Sequence, residues 1–408
     1  MKPFLCANWR QDHSATSKYL WGNVPALDLL QLKNNEGEAY SQDLSLLLAA
    51  SGDLRNLVKT VVSLPNSYRG RVHVDINDRD ETVVARNLIF LLVAFHLPPD
   101  IASVAILHLW YSAFLPESLL QSVRGAVFPT ITEFLAADPV QAASVLQKTW
   151  SCGSSTLSAA LSRTEWDRDP LQGWTLTEIL RPSYGAKHDL YGQLYVNLKR
   201  NLHSFCERLH TLKLSICLFK QDAMDLPDKL ATLRGRETFY DRIELANIAD
   251  LGYLGPAKTL ALFGPLLKAK NENPKATLIM LFLNATREMS TAADQLASMP
   301  RAMETLQRFL PMRPRHGDPK NKYNAEFLNQ MSAADLFTDN DTLFNRLVER
   351  ARFKNMGRLL GLGMKTNNSI VAKWPMRLGD NPTRHEFEMA FWSGHTGCER
   401  YVEWHRVG

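Results

Sequence analysis

The chain has 408 residues, 45% hydrophobic and 22% charged, with a net charge of +5 and a pI of about 8.8. That is enough for one large core or two smaller ones, and the composition is that of a globular protein, not a fibrous or disordered one. Five scattered cysteines without Cys-x-x-Cys exclude a zinc ribbon and a disulfide framework, no apolar run is long enough to span a bilayer, and no dense Lys/Arg tract marks a nucleic-acid surface.

Residues 1–18 are polar, carry no apolar targeting run, and read as a loose segment. Residues 19–115 hold the first part of an α/β domain. A lead-in segment, 19–32, brings Trp21 to it. Residues 44–50, LSLLLAA, are an apolar run that stops at Ser51-Gly52-Asp53, and an amphipathic helix follows over 54–62. That order is a buried parallel strand, a tight turn and a helix. Gly52 permits positive φ, and the helix start offers free N–H groups, so α/β proteins hold anionic or nucleotide-like ligands at such corners. A second strand over 72–76 ends in Asn77-Asp78-Arg79-Asp80, before a helix over 81–95. Residues 101–114 are apolar and read as either a third strand or a buried helix.

Residues 116–235 read as a helical insertion with a polar break at 163–173 and a long last helix over 190–219. Residues 236–290 return to the α/β domain, with a strand over 239–246, a loop over 247–253, a helix over 254–267 and an apolar strand over 276–283. Residues 291–408 read as helices and loops. One helix covers 291–315 and another 341–360, and Trp392, Tyr401 and Trp404 dock the tail. Strands spaced by helices predict a parallel sheet covered on both faces. Right-handed crossovers then bring Gly52, Asp53, Asp78, Asn247 and Asp250 to one edge.

Five stretches carry a family resemblance: WGNVPALDLL (21–30), NEGEAYSQDLSLLLAASGDLRNLVKT (35–60), VDINDRDETVVARN (74–87), LHLWYSAFLP (107–116) and FYDRIELANIADLGYLGP (239–256). Together they resemble the uncharacterised domain shared by fungal MYND-finger proteins and the front of dynein axonemal assembly factor three. The resemblance implies a Rossmann-like, S-adenosylmethionine methyltransferase-like fold. It does not extend to the MYND finger, because Cys6 stands without the remaining zinc ligands.

The candidate site follows from that frame. Gly52, Asp53 and Arg55 would hold the amino-acid end of S-adenosylmethionine and Asp78 its ribose, while Asn247 and Asp250 would face the methyl acceptor as catalytic residues. The absence of G-x-G-x-x-G argues against NAD or FAD, and the absence of N/D-P-P-Y/F against amino-group methylation. Each residue also has a structural reading. Asp53 would cap a helix, Arg55 would pair with Asp75 or Asp78, Asp80 would be an N-cap, and Asn247 and Asp250 would cap the next helix. His203, Cys206 and His210 share one helix at metal-compatible spacing, but their apolar neighbours favour a core-facing helix, so no metal is expected. His395 and Cys398 lie too close in sequence for a positioned dyad. Three functions remain: a methyltransferase-like enzyme, in fungal metabolism by the resemblance; a non-catalytic binding or assembly factor; and a biosynthetic transferase using aminoacyl-tRNA. A cytosolic or nuclear setting is expected, with a small-molecule or protein acceptor and no membrane.

Overall fold

The computed structural model describes residues 21–112, 115–137, 169–181, 189–235, 239–311, 324–379 and 381–407. Residues 1–18 with Cys6, residues 163–168 of the polar break, and residues 312–323 lie outside them. The chain divides into two units, Ser17–Glu244 and residues 245–408.

The first unit is built on four parallel strands, β1 (Leu44–Leu48), β2 (Arg71–Asp78), β3 (Lys213–Lys220) and β4 (Arg242–Glu244), in the order β3-β2-β1-β4. Leu46 stands opposite Val74 and Leu48 opposite Ile76, and Leu47 pairs with Ile243. All six are buried. Burial on both faces is why β1 reads as a continuous apolar run and not as an alternation. Helices Arg55–Ser63, Glu81–His96, Pro99–Tyr111 and Leu190–Thr211 each bury an apolar face in this unit.

The alternative left open for the apolar stretch after residue 100 resolves as a helix, Pro99–Tyr111, with proline in its first turn. The long helix over 190–219 is instead a helix, Leu190–Thr211, followed at once by strand β3. The helical apolar spacing runs on through Leu212 and Leu214, and β3 holds one β-branched residue, Ile216, so no strand signal interrupts it.

In the second unit three strands pair antiparallel in the order β5 (Thr277–Phe282), β7 (Arg400–Arg406), β6 (Leu362–Met364). Every residue of β5 is buried. The C-terminal region is therefore not only helices and loops, since its tail contributes β7 and makes the strand pairing mixed, not purely parallel. The helix expected over 341–360 is two helices, Asn340–Arg350 and Phe353–Leu359, separated where Arg352 takes a left-handed φ of 50°. Beyond them, Leu306, Phe309, Leu336, Leu378 and Phe387 form a hydrophobic cluster, with the Phe309 and Phe387 rings stacked at 4.5 Å.

Candidate functional site

The corner after β1 is closed by side chains of the chain itself. Gly52 has a φ of 63°, a left-handed conformation, and a Cβ there would meet nothing within 4 Å, so conformation and not space selects glycine. Its N–H donates to Asp78 Oδ2 at 2.9 Å, and the other oxygen, Oδ1, accepts from Asp80 N at 2.8 Å. Asp78 thus ties the loop after β1 to the loop after β2. Burial pushes its pKa up against these two hydrogen bonds. Asp80 caps helix Glu81–His96 by accepting from Thr82 N and Val83 N.

Asp53 and Arg55 form a buried ion pair at 2.8 Å. Arg55 Nε reaches both carboxylate oxygens, and Gly22 N donates to Asp53 Oδ2 at 2.8 Å. The Arg55 guanidinium also donates to the carbonyls of Val24 and Gly173. The partner expected for Arg55 was Asp75 or Asp78; the partner observed is Asp53, two residues away. Gly22 is fixed by this packing, since a Cβ there would fall 1.4 Å from Arg55 Nη2.

Three residues of this corner were not legible in the sequence. Arg86 is buried and donates to Gly52 O at 2.8 Å, with Asp53, Tyr111, Asp78 and Asp80 all acting on its charge. Its signal was a lone Arg-Asn pair inside an otherwise apolar helix. Asn77 clamps three strand ends, donating to Ala49 O and Gln221 O and accepting from Gln221 N. Trp174 donates to the Tyr111 hydroxyl at 3.2 Å beside a ring cluster of Trp21, Trp110 and Tyr111.

In the second unit Asn247 and Asp250 are joined, Nδ2 to Oδ2 at 3.2 Å. That carboxylate oxygen also accepts from Leu283 N, Asn284 N and Asn284 Nδ2, each at 3.1 Å, so it fastens the loop after β4 to the end of β5. Asp250 is fully buried, and desolvation pushes its pKa up to about 6. Neither residue caps the next helix, Pro256–Phe263, which follows Gly255 at a φ of 75° with no side-chain cap.

Among the described residues, His73, Asp75 and Cys217 bring possible metal-ligand atoms within 4.8 Å of one another. The Asp75 carboxylate is already engaged by Arg234 and by the Tyr240 hydroxyl, each at 2.6 Å. An arginine on the shared carboxylate fits an internal ion-pair network better than a cation site. On the helix expected to face the core, Cys206 is fully buried and burial raises its thiol pKa, while His203 turns outward to Asp100 and Glu207. In the tail His395 lies beside Glu399 at 3.6 Å, and the Cys398 thiol contacts Thr396 and Leu283 O.

The fold and corner thus define an α/β domain whose strand-end carboxylates are engaged by its own backbone and arginines. A family described as a domain of unknown function (DUF4470) matches residues 20–115, the segment that holds Gly52, Asp53, Arg55 and Asp78. The chain is similar to dynein axonemal assembly factor 3 of Danio rerio, 27% identical over 188 residues, which covers 41% of this chain and 38% of that protein. It therefore spans well under half the length of that relative. No solved structure matches the chain significantly. Among the described residues no helix is long and apolar enough to cross a membrane.

Proposed function

We propose that this chain is a non-catalytic binding or assembly factor that uses its α/β domain as a scaffold. One observation carries the reading: at the corner where a nucleotide-like ligand would sit, Asp53, Arg55, Asp78 and Gly52 hydrogen-bond to one another, to neighbouring backbone and to Arg86. Opening that corner for a ligand would break a buried ion pair and leave its charges unmatched, which is strongly unfavourable. The assembly-factor name of the Danio rerio relative points the same way.

The second reading is an S-adenosylmethionine-dependent enzyme on a Rossmann-like fold. What favours it is the order strand, left-handed Gly52, helix, strand and terminal acid in residues 44–80. In it Asp78 would meet the ribose and Asn247 with Asp250 the acceptor. Nothing beyond the mild positive charge favours an aminoacyl-tRNA substrate. Titration calorimetry with S-adenosylmethionine and S-adenosylhomocysteine separates the readings. The scaffold gives no binding heat with either. Saturable binding that Asp78→Ala weakens, in a protein that stays folded, would overturn it in favour of the enzyme.

A further inference from the structure

Residues 350–379 contain no Asp or Glu, yet hold Arg350, Arg352, Lys354, Arg358, Lys365, Lys373 and Arg377. Two of these cations are neutralised locally, Lys365 by Glu403 and Arg377 by Asp341. The side chains of Arg350, Arg352, Lys354 and Arg358 are exposed and make no ion pair among the described residues. They gather on one short stretch. In helix Phe353–Leu359 the residues Phe353, Met356 and Gly357 turn inward, and Lys354, Asn355, Arg358 and Leu359 turn to solvent. Lys354 and Arg358, four apart, share a face.

An apolar patch adjoins these cations. Leu359 is 86% exposed, Leu360 36% and Met364 36%. They are continuous along the chain, because Leu360 leads through Gly361 into β6, where Met364 pairs with Trp404. A nearly bare leucine flanked by unpaired guanidinium groups has the composition of an interface: an apolar centre with a charged rim, rich in arginine.

We propose that the outer face of residues 350–364 is a docking surface for an acidic segment of a protein partner that also brings apolar side chains to Leu359, Leu360 and Met364. The inference deepens the binding-factor reading and rests on it for its biological sense. Charge complementarity selects the partner. Three of the four cations on residues 350–364 that make no ion pair among the described residues are arginines, whose planar fork matches carboxylates in bidentate fashion. A single-stranded nucleic acid would need aromatic platforms, and the one aromatic ring of this stretch, Phe353, is buried. A membrane surface would need a longer amphipathic helix than the seven residues available here.

The test uses the whole chain and a short fluorescein-labelled peptide of Asp, Glu and Leu, read by anisotropy at low and physiological salt. The wild type should bind, more weakly as salt rises. Arg352→Glu with Arg358→Glu should weaken binding at least about tenfold, and Leu359→Ser should weaken it several-fold. Arg384→Glu, on another helix, controls for net charge and should change little. Circular dichroism checks that each variant is folded. The proposal is overturned if the wild type does not bind, if Arg384→Glu costs as much as the Arg352→Glu/Arg358→Glu double variant, or if a peptide with Ser in place of Leu binds equally well. Displacement of the peptide by poly-uridine or by phosphatidylserine vesicles at lower concentration would overturn it too, in favour of those ligands. Calorimetry with S-adenosylmethionine on the same preparation keeps the two readings apart, since cofactor binding would sink the scaffold and leave this surface standing.

Discussion

Asp53 occupies the position from which a strand–turn–helix corner would offer a carboxylate to a ligand, yet Arg55 and Gly22 take both of its oxygens. Asp53→Ala should therefore cost about 3–5 kcal/mol, because it leaves the Arg55 charge buried without its counter-charge. Urea unfolding measures this, and a loss near zero would mean that the pair is dispensable. Asp250 makes a different prediction. Its folded pKa of about 6 lies above the unfolded carboxylate value, so the native state holds more protons between about pH 4 and pH 6. Stability from this group is present below that window and falls by about 2–3 kcal/mol as pH rises through it. Asp250→Asn should flatten that part of the profile while leaving one oxygen for the Leu283 and Asn284 amides. An unchanged slope would assign it to other groups. Of these residues, Asp80 was readable as an N-cap because it stands directly before a helix with acid in its first turn. Arg86 and Asn77 were not readable, since their partners are set by strand pairing and not by sequence neighbours.

At the level of elements, β1 and β5 were legible because strands buried on both faces appear as short apolar runs bounded by turn residues, and β2 because Val72, Val74 and Ile76 alternate with polar residues. Truncating Leu46 or Val74 to Ala should cost about 2–4 kcal/mol, read by chemical denaturation, as expected for fully buried aliphatic residues. Strand β7 was hidden for a physical reason. Tyr401, Val402, Glu403 and Trp404 are all buried, so the sequence neither alternates nor forms an apolar run, and Glu403 breaks it. The structure resolves the break by wrapping a loop around that carboxylate. Glu403 accepts from the amides of Ser369, Ile370 and Val371 and from Lys365. Glu403→Ala should therefore speed hydrogen exchange at those three amides well before the rest of the unit. Uniform loss of protection across the unit would show instead that Glu403 supports the whole strand.

Across the whole molecule the sequence conveyed an α/β protein with helices covering parallel strands, and this holds for the first unit. Strands β6 and β7 of the second unit escaped, because β6 has three residues and β7 carries a buried acid. The charge pattern went unread: an overall balance of +5 says little, and the thirty residues 350–379 without an acid form no dense Lys/Arg tract that would draw attention. Strand β3 ends the order β3-β2-β1-β4, and an unpaired ladder at such an edge is a template for copies of the same chain to stack upon. Exposed Lys213 and Lys220 stand at its two ends. Edge lysines discourage such stacking, Lys220 with part of its charge spent on Glu81 at 3.1 Å. Replacing both with Val should leave circular dichroism nearly unchanged and produce concentration-dependent light scattering, and a variant that stays monomeric would show that the edge is protected by some other part of the chain.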